Sequence, residues 1–169
     1  MKLPESVGEK PDLRENRDRL RRETLANIRR LRGKFTAELL AAALFLLVSI
    51  AALNDFAFLP SLPENVRAAL GRPPSVNMIS ALLILYVFSA ILLILSRMMS
   101  GSGKYGGASH AGYLSGFYFF YHFSGQLLEN FWAVLAAGAT IFGLEGYHLW
   151  IYCSEEIERE REVLAALDG

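Results

Sequence analysis

Glu145 and His148 stand one helical turn apart in the largely apolar stretch Leu127–Cys153, LLENFWAVLAAGATIFGLEGYHLWIYC. A carboxyl and an imidazole at i, i+3 share a helix face. Inside an apolar segment such a pair is costly, and it can bind a proton or an ion. Asp55, near the far end of the first apolar stretch, is the third candidate for the same work. The plain alternative is a hydrogen-bonded pair that satisfies itself close to a membrane surface. Glu-x-x-His is also half of the arrangement that di-iron helical bundles use. This chain carries it once, with Glu38, Asp55 and Glu129 scattered over other depths. His110, His122 and His148 supply imidazoles for a b-type haem, but bis-imidazole ligation needs two of them at one depth. The glycine-rich surroundings of His110 read as a loop, so the depths do not match. No cofactor is therefore expected, with b-type haem or a metal ion as the lesser reading. No serine stands in a nucleophile motif and no triad can be assembled, so an enzyme is not the expectation.

Gly101-Ser102-Gly103-Lys104 invites a phosphate-loop reading and fails it. The motif needs glycine where Met98 stands and Ser or Thr where Tyr105 stands. The surrounding segment Ser100–Gly112 reads as a linker.

The elements that must carry these residues are helical and membrane-embedded. The chain has 169 residues, 53% of them hydrophobic, and three long apolar stretches at about 35–59, 76–99 and 127–153. Each reaches or exceeds the about 20 residues that cross a bilayer. Trp132 and Trp150 bracket the last stretch. At about 1.5 Å per residue their separation is roughly 27 Å, the thickness of the hydrocarbon layer, and tryptophan favours its two boundaries. Between them Ala136, Ala139, Gly143 and Gly146 recur at helical spacing. A small-residue face of this kind lets another helix approach closely, which predicts the packing seam of this span. Cys153, the single cysteine, excludes an internal disulfide and reads as a small residue continuing that seam.

Net charge is zero, but it is unevenly spread. Residues 1–34 hold 11 of the 17 Lys and Arg, and residues 154–169 hold six acids against two arginines. After an irregular start, residues 12–32 read as a basic amphipathic helix lying on the membrane, with Arg29, Arg30, Arg32 and Lys34 abutting the first span and drawn to anionic headgroups. Interleaved acids and the lack of a recognition motif argue against nucleic acid. Eleven cations before the first span place the N-terminus in the cytoplasm, as in a bacterial inner membrane, with no cleavable leader. Glu38 lies one turn into the first span and is expected to snorkel to the interface. Pro60 and Pro63 end that span, Pro63-Glu64-Asn65 suits a turn, and Val66–Leu70 suits a brief helix.

Half of Tyr113–Gln126, YLSGFYFFYHFSGQ, is aromatic, and the segment is short and only moderately apolar. It reads as an interfacial or re-entrant piece, and 154–169 as an acidic helical tail. The expectation is an all-α integral membrane protein with three transmembrane helices and the tail outside; four crossings are the alternative. On this arrangement Glu145 and His148 point away from lipid, toward Asp55 and Asn54 or another subunit. The function expected is a subunit, scaffold or assembly factor of a larger membrane complex, partnered by other membrane subunits or by itself. An ion- or proton-coupled transporter or channel using Glu145 and His148 is the second reading. A quinone- or haem-binding redox anchor is the third.

Overall fold

A computed structural model describes residues 11–57, 71, 73–103 and 106–168. Among these are four helices and no strand: α1 Pro11–Leu53, α2 Val76–Met99, α3 Gly107–Phe123 and α4 Leu127–Asp168. Three of them, α1, α2 and α4, are long and apolar enough to cross a membrane. The irregular start at 1–10 and the turn and brief helix expected within 63–70 lie outside the described residues.

The basic segment and the first apolar stretch form one 43-residue helix. Gly33 is the one weak point between them and costs a helix only about 1 kcal/mol, too little to break it without a proline or a cap. The basic part therefore does not turn aside as a separate surface helix. It continues the axis of the apolar part and packs on the acidic end of α4: Leu31 is buried with Leu149 and Cys153, and Asn27 Nδ2 donates to Glu160 Oε1 at 2.9 Å.

Partners along α1 fix the directions of the other helices. On α4 they run backwards: Glu160 against Asn27, Cys153 against Leu31 and Phe142 against Phe45. On α3 they run forwards: Gly107 against Glu38, Tyr118 against Ser49 and Phe119 against Phe56. On α2 Ser80 meets Tyr121 and Tyr86 meets His110, so α2 opposes α3. The bundle is up-down-up-down, and the charged ends of α1 and α4 project from the same end. This corrects the expectation that the first and last apolar helices run in the same direction.

Buried residues on α1 recur every seven positions, at Thr24, Leu31, Glu38, Phe45 and Ala52, with Ala41 and Ser49 between them. On α4, Leu127, Val134, Ile141 and His148 form one such series and Phe131, Gly138 and Glu145 another. A repeat of 3.5 residues is the pattern by which two helices keep one seam in contact. Gly138 is the glycine this seam requires, because a Cβ there would overlap the ring of Phe45.

The aromatic segment is not peripheral. α3 lies alongside α1 and α4 over the length of the apolar core, with Leu114, Tyr118 and Tyr121 fully buried. Tyr118 is held by Phe45 on one side and Phe131 on the other, and its hydroxyl donates to Ser49 Oγ at 3.1 Å. Buried hydroxyls with partners explain how so polar an aromatic run sits in a core. The helix begins at Gly107, inside the segment read as a linker, so His110 is helical. Contacts from α1 and α4 override the low helix propensity of its glycines. Gly125, with φ of 72°, then reverses the chain into α4.

Candidate functional site

Glu145 is 1% exposed. It sits on the inner seam of α4, where the heptad pattern would otherwise place an aliphatic side chain. Arg97, in the last turn of α2, reaches it with one guanidinium nitrogen 3.4 Å from Oε1. His110, one turn into α3, places Nε2 3.3 Å from Oε2. The backbone N–H of Gly106, at the α3 N-terminus, donates to Oε1. The positive end of a helix, a guanidinium and an imidazole thus surround one carboxylate.

Behind this group lies Glu38. It does not snorkel: it is 3% exposed, because the heptad seam of α1 turns it inward against the bundle. Its carboxylate is packed on Gly107, where a Cβ would overlap it, and neither oxygen has a hydrogen-bond partner. Gly106 and Gly107 therefore each bring bare backbone against a different carboxylate. Every helix contributes one ionisable residue to this cluster: Glu38 from α1, Arg97 from α2, His110 from α3 and Glu145 from α4.

His110 is further tied to Tyr86 of α2, with 2.7 Å between the hydroxyl and Nδ1. Its Nε2 faces Glu145 Oε2, but that oxygen has no hydrogen-bond partner, so this approach is a charge contact and not a hydrogen bond. The Tyr86 hydroxyl and Nδ1 share one hydrogen bond, whose direction follows the tautomer of the ring. Tyr86, His110 and Glu145 follow one another from the flank of the bundle to its interior, joined by a hydrogen bond and then by a 3.3 Å charge contact. Above the cluster the core is closed by Phe45, Leu114, Tyr118, Phe131 and Ile141, all buried.

The residues marked by sequence separate into different places. Glu145 is in the cluster. His148 is buried one turn further along α4, outside the set of groups that contact Glu145. Asp55 lies at the opposite end of the bundle, its Oδ1 2.8 Å from His122 Nδ1. The expected convergence of Glu145 and His148 on Asp55 fails because α4 runs antiparallel to α1, which puts similar positions on the two helices at opposite ends. Asp55 and Phe56 both have positive φ, 49° and 50°, and turn the chain so that Phe56 stacks on Phe119.

Ala136, Ala139 and Gly143 are exposed and Gly146 is half-buried, with open space where Cβ atoms would stand on both glycines. The small-residue face points outward, away from α1 and α3, because the seam is taken by the bulkier heptad series. Arg29, Arg30 and Arg32 are exposed at the charged end. Lys34 is partly buried: its Nζ donates to the Gly103 carbonyl at 3.4 Å and lies over the Tyr152 ring. Cys153 is buried against Leu31.

Sequence reading missed Arg97 and His110 as partners of Glu145, and Tyr86 and Glu38 as neighbours of the same cluster. The one available signal was that each is a polar residue on the apolar face of its own helix. Among the described residues no three of His, Cys, Asp and Glu are placed to hold a metal ion. His110 shares a hydrogen bond with Tyr86 through Nδ1 and faces Glu145 with Nε2, and His122 is engaged with Asp55 at the far end. Comparison of the chain with family models, curated proteins and solved structures gave no match.

Proposed function

We propose that the chain is a four-crossing integral membrane protein that serves as a proton-handling subunit of a larger membrane assembly. Three helices have the length and composition to cross, and α3 lies between two of them along the same core. At 17 residues it is about 25 Å long, so a bundle inserted by its neighbours carries it across. Both charged ends then lie on one side. The eleven cations of residues 1–34 favour the cytoplasm, as in a bacterial inner membrane.

The observation that carries the reading is the meeting of Glu38, Arg97, His110 and Glu145 at the first turn of α3. Replacing a buried ionic cluster by apolar side chains is often neutral or stabilising, so it is an expensive way merely to join helices. Ionisable groups held inside a membrane bundle tend to line a path or store a proton. Tyr86, His110 and Glu145 lie in order from the flank inward, and the buried carboxyl of Glu38 lies behind them at the same first turn of α3. The aromatic core above gives such a proton no route through this bundle alone, which suits a subunit that exchanges protons from one side.

Infrared difference spectra between acidic and alkaline buffers, taken on protein in lipid, test this. A protonated-carboxyl stretch that shifts in heavy water should respond to pH, and Glu38→Gln should remove or reduce it. A wild-type spectrum with no titrating carboxyl stretch in that region sinks the proposal. A purely scaffolding role is the second reading, favoured by the small-residue face that the bundle itself leaves unused. Mass spectrometry of proteins that co-purify in mild detergent, repeated with Glu145→Gln, separates assembly from proton handling.

A further inference from the structure

Beside the cluster, α2 and α3 leave a groove of about 350 Å³ on the outer flank of the bundle. Its mouth is formed by exposed side chains, Ser89 and Leu93 on α2 and Ser109 and Tyr113 on α3, and its inner end by Arg97, His110 and Tyr86. In the four-crossing arrangement this mouth faces lipid. We infer that the groove binds the ring head of a membrane-dissolved quinone or quinol. The inference rests on membrane insertion and goes beyond proton handling, on which it does not depend.

Shape and charge together select this occupant. Tyr86 and Tyr113 are in ring contact, with centroids 5.7 Å apart, and give the groove an aromatic edge suited to a flat ring. A phospholipid phosphate would need surplus positive charge. The guanidinium of Arg97 and the first N–H of α3 are both already committed to Glu145. What is left over is neutral in effect: further N–H groups of Arg97, whose side chain is 23% exposed, the Ser109 hydroxyl as donor, and the lone pairs of the Tyr86 oxygen as acceptor. Donors and acceptors without net charge at the closed end of an apolar cleft match the carbonyls of a quinone or the hydroxyls of a quinol. The proposal is binding; no electron transfer is assigned to this chain.

Isothermal titration of the purified chain in detergent with short-tailed ubiquinone and menaquinone analogues tests it. Saturable, stoichiometric binding of one of them is expected. Ser89→Trp should fill the mouth and abolish binding with the helical circular dichroism unchanged, because the Ser89 hydroxyl only returns to the Leu85 carbonyl of its own helix. Leu93→Trp is a second blocking variant at the same exposed mouth. Tyr86→Phe should weaken binding by about tenfold, the loss of one hydrogen-bonding group. Non-saturable partitioning, equal binding by both folded tryptophan variants, or equal competition by phosphatidylglycerol would each overturn the inference. The carboxyl infrared signal should survive in Ser89→Trp, so the failure of either idea is visible separately from the other.

Discussion

At the scale of single residues, the chemistry of this protein depends on which groups share the charge of Glu145. The carboxylate has Arg97, His110 and the α3 N-terminus around it and almost no contact with solvent. Removing the cation alone leaves a buried charge without its counterpart. Arg97→Met should therefore cost about 3–5 kcal/mol of bundle stability, whereas Arg97→Met combined with Glu145→Leu should recover most of it. Thermal or denaturant unfolding of the two single variants and the double variant in one detergent measures this cycle. Strict additivity would mean that the two side chains do not act as a pair.

Helix by helix, the decisive matter is which face of α4 packs. The face of Ala136, Ala139 and Gly143 looks outward, while Gly138 meets Phe45 of α1. Gly138→Leu should drive α4 away from α1, with an overpacking cost of about 1–3 kcal/mol or more. Gly143→Leu should leave the stability of the isolated chain unchanged. If the outward face docks a partner, Gly143→Leu should instead reduce co-purification of that partner. Unfolding curves read the first pair of outcomes and detergent pull-down the second. A loss of stability in Gly143→Leu equal to that in Gly138→Leu would contradict this assignment of faces.

For the molecule as a whole, the up-down-up-down order places both ends together. Reporters fused before α1 and after α4 should lie on the same side of the membrane, with a tag in the 60–75 connection on the other. The pairing of Asn27 with Glu160 offers an independent check. Asn27→Cys with Glu160→Cys should form an oxidative cross-link within one chain, and Asn27→Cys paired with Leu127→Cys should not. A cross-link only between chains, or reporters on opposite sides, would exclude this arrangement.

The sequence by itself determined the helical, apolar character of the chain and the three long apolar stretches, and it marked Glu145 as an acid within an apolar run. These follow from local composition: runs of apolar residues, charge at the ends, and an acid where its neighbours are apolar. Tertiary structure alone decided the partners. Whether His148 or His110 meets Glu145 depends on helix direction, and direction turned on the short aromatic helix α3, which hydropathy under-weights because its tyrosine and histidine side chains count as polar until their hydroxyls and ring nitrogens find partners inside. The small-residue face was legible as a face, but not as an outward one, since spacing gives a stripe and says nothing of where the rest of the bundle lies. Glu38 shows the same limit from the other side. Near the end of an apolar run it reads as a residue that reaches for water, and only the seam shared by α1, α3 and α4 turns it toward Gly107 and the interior.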